Sequence, residues 1–161
     1  MSLENYIALG GVLLAFGIAI QQGTATRRSN RVSNTLDLLA RYLEPEARAA
    51  RFNVRSHLKL AADEGGNFQI LSEAQRAQFA SIASLFGLAS LLDDKGEIDF
   101  QIILASFGDS IVTNFDRLRD YKKWRDSRHP GDNSLWLHFE QAARKAREAG
   151  YTSATEVLKV Q

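Results

Sequence analysis

The residues most able to do chemistry in this chain are an acidic stretch, three histidines and three serines on one predicted helix. Asp93, Asp94, Glu97 and Asp99 crowd around Gly96 in the manner of a calcium loop. With Gly96 in the sixth place of such a loop, Asp93 falls third and Asp99 ninth. The first place is then Leu91, the fifth Lys95 and the twelfth Ile102. Calcium needs oxygen ligands at those places and a bidentate carboxylate at the last, so the stretch reads as a capped turn. His57, His129 and His138 share neither a helical face nor a metal-ligand spacing. Ser81, Ser84 and Ser90 have no histidine near them in the sequence, and no nucleophile elbow is present. Gly65-Gly66 lacks the Lys-Ser that a phosphate loop needs. With no cysteine in the chain, disulfides and thiolate metal sites are excluded, which fits a reducing compartment. These residues predict no catalytic group, no metal and no cofactor.

A different kind of signal lies in basic and aromatic residues that alternate. Tyr121, Lys122, Lys123, Trp124 and Arg125 mix rings with cations. Such a segment could stack bases and hold phosphates, complement a helix C-terminus, or meet a headgroup or partner. A membrane-interface or partner contact is the role expected of them, as of Arg27, Arg28 and Arg31. A net charge of +1 gives no global sign of nucleic-acid binding. The charges are segregated, however. Residues 27–62 carry net +5, residues 63–116 net −7 and residues 117–161 net +4. That pattern predicts basic and acidic helices packed side by side.

The element that must position all of this is the N-terminal run Tyr6–Ile20, which has no charge. Its 15 residues span roughly 22 Å as a helix, short of the roughly 30 Å of bilayer hydrocarbon. The uncharged stretch from Asn5 to Thr26 reaches about 33 Å. A secretory signal peptide would begin with basic residues, whereas Glu4 is the one charge before the run. A helix buried in a soluble core is the competing reading. The preferred one is a single transmembrane anchor over residues 1–26. The arginines follow the run and none precedes it, so the N-terminus is placed outside and the remainder in the cytoplasm of an inner membrane. Ala8, Gly11, Ala15 and Ala19 form a small-residue face suited to close helix packing in lipid.

Behind the anchor the periodicity is helical throughout. Leu36, Leu39 and Leu43 form one stripe. Pro45 restarts a helix that sends Ala49, Phe52, Leu58 and Ala62 toward a core and stops at Gly65-Gly66. Ser72 and Gln75 form a capping box for a helix over about 73–92. Asp99 caps the next helix, whose stripe includes Phe100, Leu104, Ile111 and Phe115 and which runs to about Arg125. Asn133 or Ser134 opens a last helix ending near Gly150. The fold expected is all-α: the anchor, then a bundle of four to five helices over 27–150, then a tail over 151–161.

The chain resembles a family of small bacterial single-pass membrane proteins known only as a domain of unknown function. The resemblance rests on Leu38-Leu-Ala-Arg-Tyr-Leu-Glu-Pro-Glu46, Gly96-Glu-Ile-Asp99, Phe107-Gly-Asp-Ser-Ile111 and Phe115-Asp-Arg-Leu118. It covers roughly residues 35–145 and implies an anchored helical domain, with no activity, cofactor or catalytic residue to transfer. Residues and resemblance together point to a non-enzymatic accessory subunit or scaffold of a membrane assembly. Its partners would be lipid and other membrane subunits or its own copy. The alternative is a membrane-tethered sensing module, in signalling or phage defence, with a pocket around Phe86, Phe107 and Phe115.

Overall fold

The structure is a computed structural model that describes residues 3–129, 131 and 134–153, with the backbone alone for 3–20. The described residues form five α-helices: α1 (Leu3–Leu43), α2 (Pro45–Asp63), α3 (Glu73–Asp94), α4 (Phe100–Arg128) and α5 (Ser134–Glu148). A 3₁₀ turn at Phe68–Ile70 joins α2 to α3. No strand occurs among the described residues.

Local signals in the sequence set most of these boundaries. Pro45 occupies the first turn of α2, where its missing N–H is no loss. Ser72 and Gln75 cap α3 reciprocally, and the Asp99 carboxylate accepts the Gln101 N–H at 3.1 Å. At the end of α3, Gly96 takes a φ of 69°. This left-handed residue lets Glu97 N–H reach back to the Leu92 carbonyl at 2.8 Å and closes the helix. Gly150 does the same for α5, with Tyr151 N–H donating to the Ala146 carbonyl at 3.0 Å.

The helical body is built on α3, α4 and α5. The α5 helix wedges against both others. Its Trp136 meets Tyr121 and its Phe139 meets Phe115 on α4, while Phe139 also stacks on Phe86 of α3. The predicted stripe of α4, with Phe100, Leu104, Ile111 and Phe115, is part of the observed core, in one cluster with Phe79, Ile82 and Phe86 of α3. The crossing of α3 and α5 is close because Gly87 has no side chain. A Cβ there would stand 2.5 Å from the Leu135 carbonyl oxygen. Gly108 is equally tight, since a Cβ would enter the ring of Tyr151. Tyr151–Ser153 therefore does not form a free tail. Ser153 is buried, and Thr152 N–H donates to Asp109 at 3.0 Å. Residues 154–161, like Asn133, lie outside the described residues.

Two expected stripes are out of phase with the structure. On α2 the buried residues are Ala50, Val54 and Ala61, whereas Phe52 is 85% exposed and Ala49 and Ala62 are exposed too. On α1 the body-facing residues are Thr35, Leu38 and Tyr42, whereas Leu36 and Leu43 are 58% and 66% exposed. Both helices carry two apolar sets about 100° apart, and periodicity does not choose between them.

Among the described residues no helix is long and apolar enough to cross a membrane, so the fold lends the expected transmembrane helix no support. Tyr6–Ile20, with Ala8, Gly11, Ala15 and Ala19, falls where side chains are outside the description.

Gly87→Ala tests the α3–α5 crossing. Helix propensity alone would favour alanine by about 1 kcal/mol. Overpacking against fixed backbone costs roughly 1–3 kcal/mol, so the net effect expected is destabilisation in urea melts followed by circular dichroism. A variant more stable than the parent would contradict the crossing.

Candidate functional site

The geometry that distinguishes this bundle is the attachment of α1 to the α3–α4 turn. The Gly96 reversal turns the carbonyls of Glu97 and Ile98 toward α1. Arg31 Nε donates to the Ile98 carbonyl at 2.6 Å, and Asn34 Nδ2 donates to the Glu97 carbonyl at 3.1 Å. Thr35 makes the central contact. Its hydroxyl accepts the Asp99 N–H at 2.8 Å and donates to the Arg31 carbonyl at 2.7 Å. Thr35 is 1% exposed and Ile98 is fully buried beside it. Asp99 also starts α4, so the same few residues end one helix, begin another and hold a third.

Two turns further along α1, Tyr42 provides a second attachment. Its ring stacks on Phe107 with centroids 3.5 Å apart, and its hydroxyl bonds Ser110 Oγ at 2.7 Å. Arg51 of α2 lies over the other side of the ring at 3.5 Å. Burial lowers the Arg51 pKa, with Arg48 adding to the effect and Tyr42 opposing it. Since Arg31 reaches the start of α4 and Tyr42 reaches its middle, α1 and α4 run side by side in the same direction.

A hollow of about 450 Å³ opens beside the clasp, bounded by Arg31, Asp99, Phe100, Lys145 and Glu148. Its charges are engaged. Lys145 Nζ stands 2.6 Å from Asp93 and 2.7 Å from Asp94. Partial burial pulls the Lys145 pKa down, but the hydrogen bonds and charges of the two aspartates outweigh it and leave the pKa raised. Arg147 reaches Asp116 at 2.5 Å. These pairs join the basic C-terminal segment to the acidic middle segment, as the charge blocks predict. Asp93 and Asp94 of the apparent calcium loop are thus occupied by Lys145, and Asp99 by helix capping. Among the described residues no cluster of His, Asp and Glu could hold a metal.

The other candidates fall elsewhere. His57 lies between Gln75, which donates to Nδ1 at 3.3 Å, and Gln78, which bonds Nε2 at 3.0 Å. His138 bonds Gln141 at 2.9 Å. Tyr121 is buried, stacked on Trp124 and edge-on to Phe79. Burial pushes its phenol up in pKa against the opposing charges of Arg125 and Arg76. Tyr121 is therefore a core residue and not a surface contact. Lys122 pairs with Asp126 at 2.9 Å, Arg125 lies over the Trp136 ring, and Lys123 is exposed. Arg27 and Arg28 are exposed on α1. The structure does not bring the two predicted contact groups together. Arg31 lies by the start of α4 and Trp124 near its end, roughly 35 Å apart along the axis. Of the clasp residues, Arg31 is among the predicted contacts, though for a headgroup or partner and not for the Ile98 carbonyl, and Asn34 and Thr35 are not. Asn34 and Thr35 next to a Gly-Glu-Ile-Asp turn carry no spacing signal.

The family described as a domain of unknown function (DUF4760) matches residues 7–146. The chain belongs to that family. The match is wider than the resemblance read from residues 35–145, and it takes in most of α1. No curated protein and no solved structure matches the chain.

Thr35→Val keeps the shape of the side chain and leaves the Asp99 N–H without its acceptor. The expected cost is about 1–3 kcal/mol, together with faster amide exchange at Asp99. Unchanged exchange there would refute the clasp. Lys145 gives a pH test. Because its folded pKa is raised above the ordinary 10.5, the pairing stabilises fully below that value and is lost as pH rises through the folded pKa. The parent is expected to lose more stability over that window than Lys145→Met, and equal losses would count against the pairing.

Proposed function

We propose that this chain is a non-enzymatic, membrane-anchored accessory subunit or scaffold, in which α1 is both anchor and strut. The observation that carries the reading is the continuity of α1. One helix of 41 residues passes from the apolar run into the clasped segment with no break. Residues 21–30 are exposed along their whole length, whereas Thr35, Leu38 and Tyr42 are held by the body. A helix that leaves its bundle uncovered and continues into an uncharged apolar run is suited to cross lipid. The family match beginning at residue 7 includes that run in the domain. Arg27 and Arg28 then fall at the cytoplasmic headgroup level, each worth about 1 kcal/mol there. Ala8, Gly11, Ala15 and Ala19 supply a face for a neighbouring membrane helix.

The sensing alternative calls for a pocket. The expected position at Phe86 and Phe107 is filled by Tyr42 and leaves about 10 Å³. A groove of about 770 Å³ between α2 and α3, lined by Ala50, Ala77, Ile82 and Leu85, is where that reading would place a ligand.

Fractionation of cells expressing the full chain tests the anchor. The expected result is a pellet resistant to high salt and released by detergent, with a C-terminal reporter active in the cytoplasm. Recovery in the supernatant without detergent would overturn the proposal.

A further inference from the structure

We infer that α1 pairs in parallel with α1 of a second copy of this chain, along a seam the bundle leaves open. The inference deepens the scaffold reading and rests on it for the parallel orientation, since two anchors in one membrane point the same way.

The seam begins with exposed aliphatic residues. Val32, Leu36 and Leu43 are 48%, 58% and 66% exposed, and Leu39 between them is partly covered. These four stand four, three and four residues apart, the spacing of a coiled-coil core. The same step, followed backward in the sequence, passes Ser29, Ala25 and Gln22. It then meets Ile18, Ala15, Gly11 and Ala8. The line is thus aliphatic from Val32 to Leu43 and apolar again from Ile18 back, with the small or polar Ser29, Ala25 and Gln22 between, and no charge falls on it.

The bundle leaves this side available. Arg31, Thr35, Leu38 and Tyr42 face the body, on one flank of the seam. The opposite flank, Thr26, Ser33 and Ala40, is exposed. Two copies can thus meet along the seam with their bundles on opposite sides, as a two-fold axis requires. Charge permits this register. Of the residues flanking the seam from Gln21 to Tyr42, Arg28 is the charged one, and in a parallel pair it faces Ser33 of the other copy rather than a second arginine. Gln22 meets its own counterpart, where side-chain amides can pair and fix register.

The area suffices. Burying one valine or leucine removes on the order of 100 Å² of apolar surface. Four such residues and three smaller ones on each copy remove on the order of 1,000 Å², the lower bound for a specific interface. Confinement to one membrane raises the effective concentration further.

The chain has no cysteine, so single cysteines report contacts without background. Ser29→Cys, Val32→Cys and Leu36→Cys are compared with Arg27→Cys, Asn30→Cys and Asp37→Cys, each in the full chain in native membranes under mild oxidation. The expected result is a product of twice the chain mass, several-fold more abundant at the first three positions. Adding Leu36→Glu and Leu43→Glu to Ser29→Cys should abolish it, while circular dichroism of the purified variant stays that of a folded bundle. Equal or absent crosslinking at all six positions overturns the pairing, as does a product of any other mass. Fractionation of the same samples separates the two readings. A pelleted chain without crosslinks ends the pairing and leaves the anchor standing. A chain in the supernatant that still crosslinks with this period ends the anchor and leaves the pairing standing.

Discussion

The Thr35 hydroxyl is the constraint on which the arrangement of this molecule depends. It is a buried group with one partner on its own helix and one on the backbone of Asp99. Apolar packing between α1 and the body is thin, amounting to Leu38, Tyr42 and parts of Leu39. Such packing attracts without fixing register, because hydrophobic attraction has no direction. Hydrogen bonds do have direction, and Arg31, Asn34 and Thr35 reach three consecutive residues of the turn, Ile98, Glu97 and Asp99. A slip of α1 by one residue would rotate it by about 100° and lose all three. The clasp therefore sets both the height of the long helix on the bundle and its rotation.

That turn is itself held from the other side. Lys145 on α5 draws Asp93 and Asp94 at the end of α3, and α5 is pressed onto α3 at Gly87. The aromatic series from Phe68 through Tyr121, Trp136 and Phe139 to Phe86 ties the far end of the bundle to its middle. Rigidity at the turn is thus inherited from the α3–α4–α5 core, and α1 is attached to the best-supported corner of it. The opposed charge blocks of the sequence take their physical sense here. Acidic residues at the end of α3 and on α4 meet basic ones on α5 across helix boundaries.

How much of this could be read beforehand follows from which interactions are local. The cap at Ser72, the restart at Pro45 and the stop at Gly65 depend on neighbours within a few residues, and each lies where the sequence places it. The α4 stripe is equally plain, because Ile103, Ile111 and Leu118 have no rival apolar face. Phe52 and Leu36 show the opposite case. Each belongs to an apolar set competing with another about 100° away, and the choice is made by the tertiary partner. Trp136 is a related case, since it and Leu135 both lie within helical reach of Phe139, and the body buries Trp136 and leaves Leu135 41% exposed. The clasp was illegible because Thr35 and Asp99 are 64 residues apart, and nothing in either residue alone names the other. The blocks of charge foretold helices packed side by side, yet not that Lys145 would serve two aspartates.

A long helix fixed in rotation at one end has consequences at the other. From Arg31 back to Leu3 the backbone is helical without proline, so the rotational phase set at Thr35 is carried along the helix at about 100° per residue. Which side of α1 faces a neighbour near residue 22 is then determined by bonds made at residues 31–35. Residues 21–30 are exposed throughout, so the body does not cover them to correct an error. An isolated stretch of that length is marginal as a helix in water. In this molecule one end is held by the bundle. On the anchored arrangement proposed above, the other end would lie in lipid, which would hold its height but not its rotation. The clasp and the Tyr42 attachment together are therefore the described source of rotational order for the exposed segment, and they fix the angle between the seam and the bundle.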